Sequence, residues 1–566
     1  MIVPMKHLTL LCVADAGEKT LGTLRELGCV HVDLSGASSA GFAAARGELA
    51  DAERAVRILS KAAAEAAPGA SADDRFDSVR NADLVSAVLA ADAERQAAAE
   101  EAEALRQTVR TYEPYGDFDP ALAQSLLDRG IDLASVCELP DPLPRERLSA
   151  TRAKLAAAQD RVAAVTAALA GVNNRASTIL AAYPGLNDRI DFEAARDALS
   201  TQGAVSWIEG WVPVDSVPRL RAQAVTKSWG LLLRDAEPGE NPPTLIRPPK
   251  LFRPVAALFQ GLGIAPAYTE ADVSVPFMCY FSVFFAMLVG DGAYGAIFLA
   301  ATLFGWWKTR PTGGGHRPRA IRSWLTLLTV FSFATVVWGV LSNTWFGAGI
   351  PCCADWPTVK WLADPSYNNM MLLCFTIGAS HLMLARIWNG VCRAPDSTCL
   401  AEFGWAGVLL LMYLVTNAIV KIFPAVPAWG FWVGGISIAL VFLFTVKPSE
   451  LKTRGAELGM LPLNIMSALG DIISYVRLFA VGLASVKVAE NFNAMATGLL
   501  SSEHALWLNA LMAVAMVAIL LIGHGLNLAM AGLSILVHAV RLNTLEFSNH
   551  KGVTWAGYAF NPFRKH

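Results

Sequence analysis

Arg477 has the strongest claim to chemistry in this sequence, because of the company it keeps. It lies near the middle of LPLNIMSALGDIISYVRLFAVGLASVKVAENF (461–492), a run apolar and long enough to cross a membrane. A guanidinium stays charged at any relevant pH, and at bilayer depth it costs about 2.5–3.5 kcal/mol on insertion scales. Such a charge normally faces protein or water and marks an ion path. Ser467, Asp471, Ser474 and Arg477 recur every three or four residues, which draws one polar stripe along an apolar helix. A structural role is the alternative for both charges. Asp471 and Arg477 are six apart and do not meet as helix neighbours, so either could satisfy a partner elsewhere in a bundle. Lys487 and Glu490, three apart, read as a local ion pair.

A second stripe lies in the last apolar run. His524, Asn527, Ser534, His538 and Arg541 fall at spacings of 3, 7, 4 and 3, and Glu546 follows just over one turn later. His524 reads equally well as an interhelical hydrogen-bonding group. At about 1.5 Å per residue this helix outruns a core of about 30 Å, so it must tilt or protrude. Two stripes on adjacent long helices, each with an arginine, imply a shared hydrated path interrupted by a fixed positive charge.

The elements that hold these stripes follow from how charge is distributed. The 566 residues are 54% hydrophobic but 17% charged, with a mean hydropathy of +0.40. These values are compatible only if the charge is segregated. Residues 1–250 are soluble in character and 251–566 are a series of apolar runs. A net charge of −2 with no basic arm excludes nucleic acid as a partner. Nine cysteines show no CxxC pair and no zinc-like His/Cys spacing; the adjacent Cys352 and Cys353 read as free thiols. The first residues, MIVPMKHLTLLCVADAG, read as a buried strand, not a signal peptide. No GxxxxGK[ST] occurs, so the chain should not bind ATP itself. GDGAYG matches GxGxxG in form but lacks the βαβ surroundings of a dinucleotide site.

The soluble half should hold an α+β lobe and a helical arm. LTLLCVA reads as a strand, GEKTLGTLRELG as a helix ended by Gly28, and CVHVDL as a strand. Ala/Glu/Arg/Leu-rich runs with a period near 3.5–3.6, broken at Pro68-Gly69 and resumed over 145–182, predict an antiparallel coiled coil over about 41–182. A small distal lobe should occupy about 112–144. AVSWIEGWVPVDSVPRLRAQA and GLLLRDAE should return a strand, a helix and a strand to the first lobe.

In the membrane half, 273–307 is too long for one span and should fold as a hairpin with Asp291 at its tip. Six further segments are expected, over 323–346, 369–390, 403–422, 431–446, 461–492 and 505–545. Lys308, Arg310, Arg317, Arg319 and Arg322 fill one loop, Arg386 and Arg393 a second, and Lys447, Lys452 and Arg454 a third. The intervening loops are poor in Lys and Arg. Alternate loops are thus positive, which predicts eight spans with both termini cytoplasmic. The expected fold is mainly α: cytoplasmic α+β lobes with a coiled-coil arm, then a polytopic helical domain ending in two long tilted helices.

Read end to end, the sequence resembles the membrane stator subunit of V/A-type rotary ATPases, the subunit a / subunit I family. The resemblance rests on VPMKHLTLL, ELGCVHVD, SWIEGWVPV, FFAMLVGDGAYG, WGVLSNTWFG and the IGASHLMLA segment around His381. It is most specific in LGDIISYVRLFAVGLA, LIGHGLNLAM and VHAVRLNTLEF, in that order. It implies that Arg477, in SY-x-RL, is the family's essential arginine, and that Arg541, in H-x-x-RL, is its second. It also implies two aqueous half-channels against a rotating ring of c/K proteolipids, with Asp471, Ser474, His524, Asn527, His538 and Glu546 as candidates for lining them. The implied partners are that ring, the E/G-type peripheral stalks and the other complex subunits. No cofactor and no catalysis by this chain alone are implied, and the setting is a prokaryotic cell membrane. The sequence departs from eukaryotic members at Ser485, where many have His, and at Ala531, where they have Glu; its arm also looks shorter. Two other readings compete. A secondary transporter could bind an anionic substrate on its arginines, but the inverted repeats it predicts are not seen. A membrane-anchored scaffold would leave the work to the soluble half.

Overall fold

The computed structural model describes residues 2–34, 36, 38–65, 76, 79–81, 83–117, 119–129, 145–310, 319–351, 355–362, 366–447, 451–499 and 506–565. Pro68-Gly69, the second half of the expected distal lobe (130–144), Arg317 and the Cys352-Cys353 pair lie outside them. The chain divides into two compact units, one of Met5–Ala236 with Asn561–His566, the other of Met1–Pro4 with Glu237–Phe560.

The first unit is built on a five-stranded antiparallel sheet: β1 (Met5–Val13), β2 (His31–Val32), β3 (Ser200–Gln202), β4 (Val205–Pro213) and β5 (Gly230–Asp235). The order is β2-β4-β1-β5, with β3 also on β4. Strand β1 is central, with Leu8 opposite Gly210 on one side and Leu233 on the other. Its alternation puts Leu8, Leu10 and Cys12 on the buried face. They meet Leu21 and Leu24 of α1 (Gly17–Leu27) there. The helix stops at Gly28, whose φ of 59° is a left-handed cap. The β4–β5 return expected from SWIEGWVPV and GLLLRDAE is present, joined by a helix over Val217–Lys227. Phe563, near the end of the chain, is buried in the same core, and its N–H donates to the Val30 carbonyl at 2.8 Å.

The arm of this unit consists of α2 (Ala40–Glu65), α3 (Leu84–Tyr112), α4 (Pro120–Leu127), α5 (Leu148–Gly171) and α6 (Ala176–Asp197). Helix α3 packs along α5, and α2 along α6. The seam is largely alanine with Leu59, Leu84, Val88, Val165 and Leu169, and small residues of this kind let helix axes approach closely. The helical run expected to end near Ala182 continues through Pro184 to Asp197. Asp197 then accepts the N–H groups of Ser38 (3.0 Å) and Ser39 (2.8 Å), which ties the end of the arm to its start.

The second unit holds α7 (Ser274–Val289), α8 (Gly292–Lys308), α9 (Arg319–Ser342), α10 (Asn368–Arg393), α11 (Cys399–Ile419), α12 (Ala428–Phe444), α13 (Leu451–Ile473), α14 (Val476–Thr497) and α15 (Leu506–Ser534). Among the described residues six helices are long and apolar enough to cross a membrane, or up to seven spans if the bent pair α7–α8 counts as one. One of the six, Leu148–Asp197, is the arm; it qualifies through its alanines and carries Arg152, Lys154, Asp160 and Arg161. Helices α7 and α8 meet at a 120° bend, the hairpin expected for 273–307. Asp291 caps α8 through the Ala293 N–H (2.8 Å) and also accepts from the Gly347 N–H (2.8 Å). The stretch expected as one helix over 461–492 is two, α13 and α14, joined by a tight turn at Ser474-Tyr475. Beyond α15 the last helix continues through two π segments, Ile535–Ala539 and Leu542–Phe547, to Lys551.

Candidate functional site

The turn at Ser474-Tyr475 sets the geometry of Arg477. Its backbone bonds span three residues instead of four: Tyr475 N to Ile472 O (3.1 Å), Arg477 N to Ser474 O (3.3 Å) and Leu478 N to Tyr475 O (3.0 Å). In an unbroken α-helix the Ser474 carbonyl would accept from Leu478. Here it accepts from Arg477 Nε at 2.8 Å. The guanidinium is thus anchored to its own backbone on one edge. On the other, Nη2 reaches Glu546 Oε1 at 2.5 Å.

Glu546 sits on the second π segment, and that is what brings it to the two arginines. Residues five apart on an α-helix point about 140° away from each other. The wider i→i+5 winding of a π turn brings them closer to the same side. Arg541 and Glu546 therefore share a side, with Arg541 Nε 3.4 Å from the same Oε1. The Glu546 side chain is 6% exposed and that of Arg541 57%, so the carboxylate is inside and the second arginine faces out. Two guanidiniums converge on one carboxylate, an arrangement not foreseen from the sequence.

Asp471, on α13, belongs to a second rung, between that helix and the end of the last one. Its Oδ2 lies 3.0 Å from His550 Nε2, and Arg386 Nε donates to His550 Nδ1 at 3.1 Å. Because Arg386 can only donate, Nδ1 must accept and Nε2 must carry the hydrogen given to Asp471. Arg386 is held in turn by Glu402 (3.1 Å), which also pairs with Arg393 (2.8 Å). Arg386 was expected in a loop; it lies inside α10 with its guanidinium over Trp405, because Glu402 of α11 compensates its charge. Asp471, Ser467, Asn464, His550 and Arg386 line a cavity of about 420 Å³. Ser474 does not face this cavity with its hydroxyl, which donates to the Asp471 carbonyl at 2.6 Å.

His524 and Asn527 form a third cluster with groups from the hairpin and α14. Tyr294 Oη is 2.7 Å from His524 Nδ1 and accepts from Asn527 Nδ2 at 3.1 Å. Ser485 Oγ donates to Asn527 Oδ1 at 3.1 Å, and Asn493 Oδ1 lies 3.2 Å from His524 Nε2. His524 thus makes the interhelical bonds of the structural reading, within a wholly polar chain of contacts. His538 lies on the last helix between Asn527 and Arg541 in sequence, and its Nδ1 has no hydrogen-bond partner among the described residues. Lys487 and Glu490 form the expected local pair at 2.7 Å.

Of the residues singled out from the sequence (Arg477, Arg541, Asp471, Ser474, His524, Asn527, His538 and Glu546), the structure joins Arg477 and Arg541 to Glu546 and links His524 to Asn527 through Tyr294. The sequence reading missed His550, Arg386, Glu402, Tyr294 and Asn493. A charged side chain in an apolar run was the available signal for Glu402; His550 sits in the polar stretch Ser548–Gly552, where a histidine does not stand out. Tyr294 gave none, since a tyrosine in an apolar run reads as core.

The fold and these clusters define a polytopic helical membrane protein with a long helical arm in its first unit and ionisable groups shared between its last long helices. The chain is 34% identical over 400 residues to a V-type ATP synthase subunit I of Borreliella burgdorferi, covering 66% of this chain and 63% of that protein. It is 28% identical to V-type ATP synthase subunit I 1 of Treponema pallidum over 640 aligned positions, the whole of both chains. An A-type ATP synthase subunit I of Methanocaldococcus jannaschii is 25% identical over 415 residues, 66% of this chain and 58% of that protein. No family model matches the chain. The chain belongs to the V/A-type ATP synthase subunit I family.

Proposed function

We propose that this chain is the membrane stator of a rotary ATPase or synthase, and that it guides ions to and from a carboxylate-bearing ring past Arg477. It is not catalytic by itself; it couples ion transfer to work done by the nucleotide-binding subunits. The observation that carries this reading is the convergence of Arg477 and Arg541 on the single buried carboxylate of Glu546. With all three ionised, the cluster has one surplus positive charge. A ring carboxylate arriving there from hydrocarbon meets that surplus. At about 4 Å and an effective dielectric near 20, the attraction is on the order of 4 kcal/mol, against about 1.4 kcal/mol per pKa unit. That is enough to ionise an acid that burial keeps protonated. The ring site releases its ion, passes Arg477 as an anion and reloads on the other side. Glu546 takes the guanidinium back when the ring site leaves, so the arginine is not left unpaired between steps.

Two polar routes support the half-channel reading. The cavity beside Asp471 and His550 adjoins the network of Arg386, Arg393 and Glu402, on the side of the positive loops, and is assigned to the cytoplasm. The Tyr294, His524, Asn527 and Ser485 cluster is assigned to the opposite side, with Ser485 in place of an ionisable residue. Counting α7, α8 and the short α12 with the five long membrane helices gives eight spans with both termini cytoplasmic. The arm of 41–182 would meet the peripheral stalks and resist torque, within a cytoplasmic domain of 1–250.

The test is Arg477→Gln in the whole complex, reconstituted in vesicles with an ion-sensitive dye. The substitution keeps hydrogen bonding but removes the charge, so ATP-driven transport should collapse in a complex that still assembles. Arg477→Lys should also fail, because an ammonium is more strongly hydrated and cannot hold Ser474 O and Glu546 with one planar fork. Near-normal transport by Arg477→Gln would reduce the arginine to a structural group.

A further inference from the structure

The turn that aims Arg477 is itself held by a pair of side chains that the ion path does not use. Tyr475 is fully buried. Its ring lies against Gly378 of α10, where a Cβ would come within 2.5 Å of a ring carbon. Its hydroxyl is 2.8 Å from Nδ1 of His381, one turn further along the same helix. His381 is also fully buried and is clamped on both faces. The Tyr280 ring stacks at 4.0 Å on one side, and the Phe547 ring at 4.4 Å and 9° on the other. Phe547 follows Glu546 directly, so helices α7, α10 and the last helix all close on the Tyr475 turn.

His381 is a costly residue for that position. Its Nε2 is buried and has no hydrogen-bond partner among the described residues. A leucine or phenylalanine would fill the space without an unpaired nitrogen. What the imidazole supplies, and they cannot, is the bond to the Tyr475 hydroxyl.

We propose that His381 and Tyr475 are positioning residues for Arg477, holding the three-residue turn that points the Ser474 carbonyl at its guanidinium. The proposal rests on the reading of Arg477 given above. With the hydroxyl bond in place, Leu478 N is committed to Tyr475 O, and Ser474 O is free to receive Arg477 Nε. Without it the turn can relax toward α-helical bonding, in which Ser474 O returns to Leu478 N. The guanidinium then keeps Glu546 but loses its backbone anchor and can swing about that one contact. A swinging cation should still permit ATP hydrolysis and rotation, yet it should separate the two aqueous routes poorly. The expected defect is slip, not silence.

The experiment uses the complete complex in proteoliposomes. It records ATP hydrolysis, ATP-driven ion uptake and passive ion flux without ATP for Tyr475→Phe, His381→Leu, His381→Asn and Arg477→Gln. Tyr475→Phe removes one oxygen and keeps the ring against Gly378, so packing is nearly preserved. Loss of one buried hydrogen bond should lower the ions moved per ATP by about tenfold in Tyr475→Phe and His381→Leu, with raised passive flux. His381→Asn, whose carboxamide reaches the Nδ1 position, should recover most of the coupling. Parental coupling in Tyr475→Phe overturns the proposal. So does a Tyr475→Phe complex that fails to assemble, since the pair would then serve folding. If instead Arg477→Gln itself transports normally, the reading of the arginine fails and the two outcomes are told apart.

Discussion

Glu546 is the residue on which the charge balance of the site turns. It is the shared partner of Arg477 and Arg541, and its second oxygen has no hydrogen-bond partner among the described residues. On the proposed mechanism, Glu546→Gln should leave two cations facing the ring, so a ring carboxylate is bound more tightly and released more slowly. Turnover at saturating ATP should fall about tenfold, as expected for one charge-assisted bond, with the ions moved per ATP unchanged. Arg541→Gln should do less, because that side chain is mostly exposed and its contact is longer. Initial rates in reconstituted vesicles decide it; a larger loss in Arg541→Gln than in Glu546→Gln contradicts the shared-carboxylate account. The charged members of the site were legible in the sequence because a charge in an apolar run announces itself. Their partners were not. His550 lies 79 residues from Asp471, and Tyr294 lies 230 from His524. No spacing rule connects groups that only tertiary packing brings together.

At the scale of elements, helix periodicity located the membrane helices but could not show where their hydrogen-bond register changes. Hydropathy is the same whether residues 461–492 form one α-helix or two joined at Ser474-Tyr475, and the same for an α or a π turn at Leu542–Phe547. Both irregularities lie beside Arg477 and Glu546, where they aim side chains that a regular helix would point elsewhere. The hairpin was legible because its apolar run was too long for one span and contained Gly290-Asp291-Gly292. Asp291 holds that hairpin with both oxygens, one on Ala293 N and one on Gly347 N, and is 1% exposed. Asp291→Ala should therefore leave two amide groups without their acceptor and cost about 1–3 kcal/mol for each that stays buried. In a detergent-solubilised protein this should appear as a lower thermal midpoint, with Asp291→Asn intermediate because its one carbonyl oxygen can satisfy only one of the two. An unchanged midpoint in Asp291→Ala would mean that the hairpin is held by packing alone.

At the scale of the molecule, orientation follows from where unpaired positive charge remains once the internal ion pairs are removed. Arg386 is spent on Glu402 and His550 inside the bundle, and Lys447 pairs with Asp396 at 2.8 Å. This weakens two of the three positive loops from which the topology was first read. Among the described residues Lys308, Arg310 and Arg322, at the ends of α8 and α9, form no ion pair, and Arg393 remains half-exposed beside Glu402. On the other side Lys360 is balanced by Asp355 at 3.1 Å. The asymmetry keeps its sign, in line with the proposed orientation, which has the loop after α8 and the first unit in the cytoplasm and the Lys360 loop outside. Single cysteines at positions 38 and 360, in a chain whose other exposed cysteines are replaced, test this with a membrane-impermeant maleimide. Both sites are exposed, so access is set by side and not by burial. Lys360→Cys should label in intact cells, and Ser38→Cys only after permeabilisation. Labelling of Ser38→Cys in intact cells would place the soluble unit outside and leave the hairpin as a single broken span. The later spans, and with them the cavity beside Asp471, would keep their side, but the first unit would stand across the membrane from that cavity and the proposed stator role of the arm would fall.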